Sequence, residues 1–567
     1  MFYNPLPNKE MRMKKIILLL EICLLVQLNL GYCAETKTVK ETIMIKNPIL
    51  SGFNPDPSIV RVKDDYYIAN STFEWFPGVV IHHSKDLVNW DLIGYGLTST
   101  KYIDLLGVPT SGGVWAPCLS YSNGLFYLVY SDVKTMRGPY KDVHNYLITA
   151  RNIKGPWSQP VYLNSSGFDA SMFHDDDGRK WLLNELHDYR DREKRFAGII
   201  IQEYDPKKKK LIGPIKNIFK GTVLGKTEGP HIYKLNGYYY LMTAEGGTGH
   251  DHAVTLARSK NLVGPYEVQP DNPILTSKDN PKLELQKAGH ASLVETQNGQ
   301  WYIVHLCGRP IMPQKRCVLG RETAIQKVKW DNDGWLRLEA GGNSPQVNVP
   351  APGLPPCPFK PEPARDDFDS KTLNINFNTL RVPPDESWLS LTKRPGRLRL
   401  YGGESLGSKF RQSLVARRIT SLNCDAQTCV EFEPQTFQQT AGLICFYDTQ
   451  NYYYLKVTYN ENVGKCVTVC YSQNDNYIEL TSQMFPLTQK NCHLRAEIRN
   501  DKLYFSYSLD SEQWHKIGDA FDITTLSDEF CQEGSFTGAF VGICAQDLAG
   551  TRTKADFDYF EYRDNQK

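Results

Sequence analysis

The sequence predicts an all-β chain, a five-bladed β-propeller followed by a β-sandwich of the jelly-roll or concanavalin-like kind. Three observations predict it: a phrase that recurs five times, a tight-turn signal inside each copy, and β-type alternation without that repeat after about residue 366. The phrase is a small residue or Pro, a short apolar strand, a polar turn, then an aromatic strand. Its copies begin at Asp56, Ala116, Asp169, Gly229 and His290, spaced by 60, 53, 60 and 61 residues. The turns are Asp64-Asp65, Asn123-Gly124, Asp177-Gly178, Asn236-Gly237 and Asn298-Gly299, mostly dipeptides that accept the left-handed backbone of a two-residue hairpin. A lone hairpin is marginal in water, and about sixty residues per unit leaves room for two more strands. Gly155-Pro156-Trp157 and Gly264-Pro265-Tyr266 are near-copies in different units. Five four-stranded units arranged radially make a propeller. A linear solenoid is the alternative, but it needs capping repeats that the sequence does not show.

The flanking segments follow in order. Lys14 and Lys15 precede a mostly apolar stretch, Ile16 to Leu30, with small residues after it. Residues 1–34 therefore read as an export signal. The stretch is too short for a membrane span and is interrupted by Glu21, Gln27 and Asn29. Export to the periplasm or beyond the cell is expected. Cys33 is reminiscent of a lipid-attachment cysteine, although Tyr32 stands where a small residue is usual. Residues 45–340 hold the repeats. Residues 341–365 form a Pro-rich linker, with eight prolines from Pro345 to Pro363, too many for a helix or a central strand. It reads as a stiff connection over the surface. Residues 366–567 are the sandwich, with alternation at 397–401, 453–457, 494–498 and 502–507.

Charge excludes one class of partner. The 65 basic and 63 acidic side chains leave a formal net charge of +2 without a basic stripe, so nucleic acid is not the partner. Of fourteen Cys, none has zinc-finger spacing. Cys307–Cys317 and Cys424–Cys429 are local disulfide candidates in an exported chain, and free buried thiols are the other reading.

Repeat register points to a site. In a propeller the first strand of each blade runs along the axis, so the five starts meet at one mouth of the channel. They carry Asp56, Trp115-Ala116, Asp169, Glu228-Gly229 and His290. Alone, Asp56 in Asn-Pro-Asp-Pro could be a turn residue and Asp169 a strand cap; equivalence across repeats makes the three carboxylates a candidate set. Cleaving a glycoside needs an acid to protonate the leaving oxygen and a second carboxylate across the sugar. Blades one and four of five suit the wider separation of about 6.5–9.5 Å found in inverting enzymes. A third carboxylate would keep the acid protonated by like-charge repulsion.

These motifs resemble glycoside hydrolase family 43, in its β-xylosidase and α-L-arabinofuranosidase branch, from about Asn47 to the C-terminus. Asn47 to Ser58 is similar to the family's opening motif, which implies that Asp56 is the general base. Phe168-Asp169-Ala170-Ser171 is similar to its second motif, implying Asp169 as pKa modulator, with Ala170 replacing the usual Pro. Thr227-Glu228-Gly229-Pro230-His231 matches the acid motif, implying Glu228. The segment 71–78 resembles the xylosidase signature, and the resemblance implies substrate contacts at Phe73, Trp115, His290 and Arg321, the last of which could equally pair with Asp56 or Asp169. Segment 535–540 looks like the loop by which the second domain closes the pocket, with Phe536 the contact. Several residues of the family's long loop after Gly308-Arg309-Pro310 are missing, which alters the aglycone side. The implied activity is exo-acting, inverting release of terminal β-D-xylose from xylo- or arabinoxylo-oligosaccharides, with α-L-arabinofuranose as second sugar. Endo-acting arabinanase and a non-catalytic sugar-binding propeller are the alternatives. No cofactor is required; some relatives place a water-coordinated calcium near the residue matching His290.

Overall fold

The computed structural model describes residues 1–3, 43–136, 138–190, 193, 195–534 and 536–565. The expected export signal beyond its first three residues, Cys33 and Ser535 lie outside the described residues. Among the described residues no helix is long and apolar enough to cross a membrane.

Each repeat phrase forms the inner hairpin of a four-stranded antiparallel blade. Blade one is Ser58–Val62, Asp65–Asn70, Gly78–Ser84 and Asp91–Leu97; blade two is Gly113–Ser122, Leu125–Thr135, Asp142–Ala150 and Val161–Asn164. Blade three is Ser171–His174, Lys180–His187, Phe196–Asp205 and Lys210–Phe219. Blade four is Glu228–Leu235, Tyr238–Glu245, Ala253–Ser259 and Glu267–Val268, with Leu275–Thr276 beside its third strand. Blade five is Gln286–Glu295, Trp301–Gly308, Glu322–Trp330 and Leu336–Leu338. Apolar side chains fill the gaps between successive blades. Ile81, Leu128 and Trp157 lie between blades one and two, for example, and Met242, Ile303 and Trp335 between four and five.

The ring is closed by the chain's early segment adhering to blade five. Leu50 bridges Thr323, and the Asn54 amide donates to the Arg321 carbonyl at 3.0 Å. Met44–Lys46 pairs with Asn348–Pro350 from the Pro-rich linker. Ile45 and Val349 are buried there, so part of the linker is a seam in the core rather than a cover over the surface.

One backbone feature repeats at the mouth. The five phrase starts all have left-handed backbone: Asp56 (φ 52°), Ala116 (29°), Asp169 (56°), Gly229 (57°) and His290 (47°). The first strands of blades two, four and five are irregular in pairing at this point. Trp115 and Glu228 therefore sit one residue before the common register that holds Asp56, Asp169 and His290.

The second domain is two packed antiparallel sheets. One contains Leu398–Tyr401, Lys554–Asp564, Asn423–Glu431, Asn491–Arg499 and Lys502–Ser508; the other contains Gly464–Gln473, Asn451–Asn460, Gln439–Asp448, Phe540–Asp547 and Ser413–Arg418. The edge of the second sheet is completed from the propeller: Trp75–Phe76, between the second and third strands of blade one, pairs with Asn378–Leu380. Trp75 lies flat on Phe540, with ring centroids 3.8 Å apart and planes 15° apart. One apolar cluster thus holds Phe53, Phe73, Trp75, Trp115 and Phe168 of the propeller with Leu380, Ile444, Phe446 and Phe540 of the sandwich.

The disulfide candidates are corrected. All twelve described cysteines are free thiols, Cys307, Cys317, Cys424 and Cys429 included. Cys424 and Cys429 lie on one strand, Asn423–Glu431. Five residues of strand span about 16 Å, far beyond the roughly 7 Å that a bridge tolerates between Cα atoms.

Because the domains share a sheet and a core, they are expected to unfold together. Trp75→Ala removes a fully buried indole and should lower stability by about 3–5 kcal/mol, shifting one calorimetric transition as a whole. Two well-separated transitions in the unaltered chain would contradict the shared core.

Candidate active site

All eight residues singled out from the sequence line one cavity of about 440 Å³ at the propeller mouth: Asp56, Phe73, Trp115, Asp169, Glu228, His290, Arg321 and Phe536. The left-handed starts of blades one, three and five turn Asp56, Asp169 and His290 toward the axis. Glu228 opens the first strand of blade four, followed by Gly229. A side chain at Gly229 would lie 3.2 Å from the His290 ring, and its φ is positive, so glycine is demanded twice over.

Asp56 is buried and fully engaged. Its Oδ2 accepts from the Ser71 hydroxyl at 2.6 Å and its Oδ1 from Arg321 at 3.1 Å. The Ser71 oxygen also accepts from the Ala116 amide at 2.7 Å, tying blade two to the same carboxylate. Burial opposes ionisation of Asp56, but Arg321, His290 and the Ser71 hydroxyl outweigh it and hold the carboxyl below its ordinary value. His290 is itself pushed down by burial and by Arg321, so the lasting charge partner of Asp56 is the guanidinium. Of the two pairings open to Arg321, the one with Asp56 is formed.

Asp169 and Glu228 move the other way. Burial, Glu228 and Asp56 push Asp169 up, against a hydrogen bond from the Gly229 amide at 3.0 Å. Burial pushes Glu228 up to about 7, Asp56 adds to this, and the Lys141 ammonium restrains it. Buried carboxylates this close titrate as a set, with a proton retained near neutrality. The site thus holds one carboxylate ionised and another protonated at the same pH.

The remaining wall is apolar. The Phe73, Trp115 and Phe536 rings stand 5.8–6.4 Å from one another. Phe536 comes from the sandwich and is fixed twice: its carbonyl accepts from Arg321 at 2.9 Å and its amide donates to the Ser111 hydroxyl at 3.1 Å. Ser111 also accepts from the Trp115 indole at 2.8 Å through its carbonyl. Arg321 reaches a third element, the Thr248 hydroxyl at 2.8 Å, in the loop 246–251.

Several cavity residues were not legible from the repeat. Lys141 stands 4.7 Å over Phe168 and 5.0 Å over Trp115. Phe168, Phe196, Lys226 and Thr248 also line the cavity. Behind the wall, Glu185 is buried and neither of its carboxylate oxygens has a hydrogen-bond partner; burial, Glu228 and Asp169 push its carboxyl well above the ordinary range. Phe168 and Ser71 belong to the quoted motifs; Phe196 opens the third strand of blade three and Glu185 lies on its second, while Lys141, Lys226 and Thr248 come from loops.

The surroundings of His290 do not form a calcium cage. Calcium takes six to eight oxygen ligands. Here the imidazole Nδ1 faces Asp56 and Asp169 oxygens at 3.9 and 4.0 Å, and those carboxylates already serve Arg321 and the Gly229 amide. Among the described residues no group of three or more His, Cys, Asp or Glu side chains is set to hold a metal.

Comparison with known proteins bears directly on this site. The family model for glycosyl hydrolases family 43 matches residues 45–336, and the model for the beta xylosidase C-terminal concanavalin A-like domain matches 365–563. A beta-xylosidase of Bacillus subtilis is 52% identical over 532 residues, covering 92% of this chain and 99% of that protein. A non-reducing end alpha-L-arabinofuranosidase of Bacteroides ovatus is 34% identical, covering 95% of this chain and 98% of that protein. The crystal structure of a xylan beta-1,4-xylosidase from Bacillus halodurans superposes with a TM-score of 0.91 at 56% identity, covering 92% of this chain and all of that one. With both domains matched and the three-carboxylate pocket between them, the chain belongs to glycoside hydrolase family 43.

Proposed function

We propose that this glycoside hydrolase releases terminal β-D-xylose from xylo-oligosaccharides by an inverting, exo-acting reaction. The observation that carries the reading is the opposed ionisation of Asp56 and Glu228 in a pocket that the second domain narrows with Phe536. Asp56, held ionised by Arg321, takes a proton from water as the oxygen attacks the anomeric carbon. Glu228, held protonated, gives its proton to the leaving oxygen as the glycosidic bond breaks. The products are a sugar of inverted anomeric configuration and a shortened alcohol, with the proton balance restored through solvent. Asp169 accepts the Gly229 N–H beside Glu228, so it orients the acid, while burial and the Asp56 charge raise the proton affinity of Glu228. Phe73, Trp115 and Phe536 offer apolar faces to the CH side of the sugar, while Arg321 and His290 offer donors to its hydroxyls.

Terminal α-L-arabinofuranose is the second substrate, a reading supported by the name of the Bacteroides ovatus relative. We further propose that no cofactor is required and that a calcium ion at His290 would keep mostly water ligands. Residues 1–34 carry the features of an export signal, so the enzyme would work in the periplasm or outside the cell, with Cys33 the point of any lipid anchor.

Glu228→Gln is expected to slow cleavage of xylobiose by roughly 10²–10⁴-fold, with a smaller loss on an aryl xyloside whose leaving group needs no proton. Asp56→Asn should lose both activities. Near-normal xylobiose turnover by Glu228→Gln would remove the acid assignment, and oligomeric products in a chain-length assay would rule out exo action. Proton NMR of the first product should show the α-anomer of xylose.

The pH profile has a definite sign. A raised acid is active while protonated, so kcat/KM should fall as pH climbs through about 7, where Glu228 titrates. Lys141 lowers the proton affinity of Glu228, so Lys141→Met should move this limb to higher pH; a limb that stays fixed or moves down contradicts the pairing.

A further inference from the structure

Two of the three pocket rings are tied to one residue, Ser111. Its carbonyl accepts from the Trp115 indole at 2.8 Å, and its hydroxyl accepts from the Phe536 amide at 3.1 Å. Ser111 has a φ of 58°, in the left-handed region, which a residue with a β-carbon keeps only where its surroundings impose it. The imposing group is Glu74. The Ser111 amide donates to both carboxylate oxygens of Glu74, at 3.2 and 3.1 Å. Glu74 is 1% exposed and takes no part in the reaction derived above.

The neighbours of Glu74 run to the same wall. The residue before it is Phe73, the third ring. Phe73 exchanges backbone hydrogen bonds with Val114, 3.0 Å in each direction, one residue from Trp115. The residue after it is Trp75, which opens the strand that enters the second sheet. The Glu74 carbonyl accepts from the Arg381 amide at 3.0 Å, and the Arg381 guanidinium donates to the Val108 carbonyl at 2.8 Å. From the sandwich side Gly534 is pressed against Ser111, where a side chain would come within 2.7 Å of the Ser111 hydroxyl oxygen. Phe73, Trp115 and Phe536 thus reach the pocket from three chain segments that meet at one buried hydrogen bond. Burial pushes the Glu74 carboxyl up to about 7, against the pull of Arg381 and the Ser111 amide. A carboxamide is therefore a fair stand-in for it near neutrality.

We propose that Glu74 is a positioning residue: by fixing Ser111 it sets the arrangement of the Phe73, Trp115 and Phe536 rings, and so the fit of the apolar face that receives the terminal pentose. This role rests on the function proposed above.

The test separates binding from chemistry. Ser111→Ala keeps the bonds to Glu74 and Trp115 and loses only the hold on Phe536. In it, KM for 4-nitrophenyl β-D-xyloside should rise by roughly three- to tenfold with kcat little changed, the pattern of lost uniform binding. Glu74→Leu should raise KM further. The double variant should match Glu74→Leu instead of summing the two losses, because both act on one chain of bonds. Glu74→Gln keeps an acceptor for the Ser111 amide and should retain most of the affinity. It should also keep the fall in kcat/KM near pH 7, since that limb belongs to Glu228. An unchanged KM in Ser111→Ala, a fall in kcat without a rise in KM, additive losses, or disappearance of the limb in Glu74→Gln overturns the proposal. If Glu74→Leu does not fold, Ser111→Ala and Glu74→Gln still decide. Calorimetric titration with xylose in a Glu228→Gln background gives an arm independent of turnover, in which Ser111→Ala should weaken xylose by a similar factor. If the unaltered protein hydrolyses no pentoside, the proposed function fails, whereas equal xylose affinities with and without the Ser111 hydroxyl remove the positioning role.

Discussion

At the head of each blade the backbone turns through the left-handed region, and the position of every reactive group depends on that turn. Four of the five residues there are not glycine, and such a conformation costs about 1–3 kcal/mol where a β-carbon is present. The cost is borne because the turn ends one run of chain at the mouth and starts the next strand along the axis. Side chains at this point face one another across the channel instead of packing between blades. Three blades use the turn residue itself, as Asp56, Asp169 and His290. The other two place a small residue in the turn and project the side chain before it, Trp115 or Glu228. The one-residue offset gives the acid a different approach from the other two carboxylates, and this lets the Gly229 amide serve Asp169 while Glu228 stays open to the cavity.

Arg321 converts this ring of residues into a pocket. One guanidinium donates to the Asp56 carboxylate, the Thr248 hydroxyl and the Phe536 carbonyl. It therefore sets the charge of one carboxylate and holds a second-domain residue over the sugar side with the same set of N–H groups. The support behind it is also shared. Lys287, three residues before His290, pairs with Glu529 at 2.5 Å, and Glu529 accepts from the Cys317 amide at 2.8 Å, four residues before Arg321. Tyr447 donates to Asp528 at 2.6 Å, and its oxygen accepts from the Thr537 amide at 3.4 Å, next to Phe536. Chemistry and closure are thus parts of one polar network that crosses between the domains.

The sequence made the propeller legible because its repeat carries two independent signals, the spacing of the starts and the turn dipeptides between strands. The same register made Asp56, Asp169, Glu228 and His290 legible as a group. Lys141 and Thr248 were not, because each lies in a loop outside the repeated phrase, where a single residue looks like solvated surface until its neighbours are known; Glu185 ends the third copy of the phrase, but nothing in that register distinguishes it from an ordinary strand residue. Phe536 and Arg321 came from resemblance to a family and not from pattern. The cysteine reading failed in an instructive way: Cys424 and Cys429 look close in sequence, but an extended strand separates them by more than a disulfide can span. The seam formed by Val349 was also hidden, since prolines on either side suggested only a surface path.

The strand Trp75–Phe76 has a consequence for how the chain is made. Its pairing partner near residue 380 and its stacking partner Phe540 lie about 300 and 465 positions downstream. At roughly 5–20 residues per second, a growing chain carries an unsatisfied strand edge and an uncovered indole for on the order of half a minute or more. The first blade is the earliest part to emerge and the last to be finished. Chaperone demand, yield on overexpression and tolerance to a premature stop should all be governed by that interval, and a catalytic domain produced alone inherits the uncovered edge permanently.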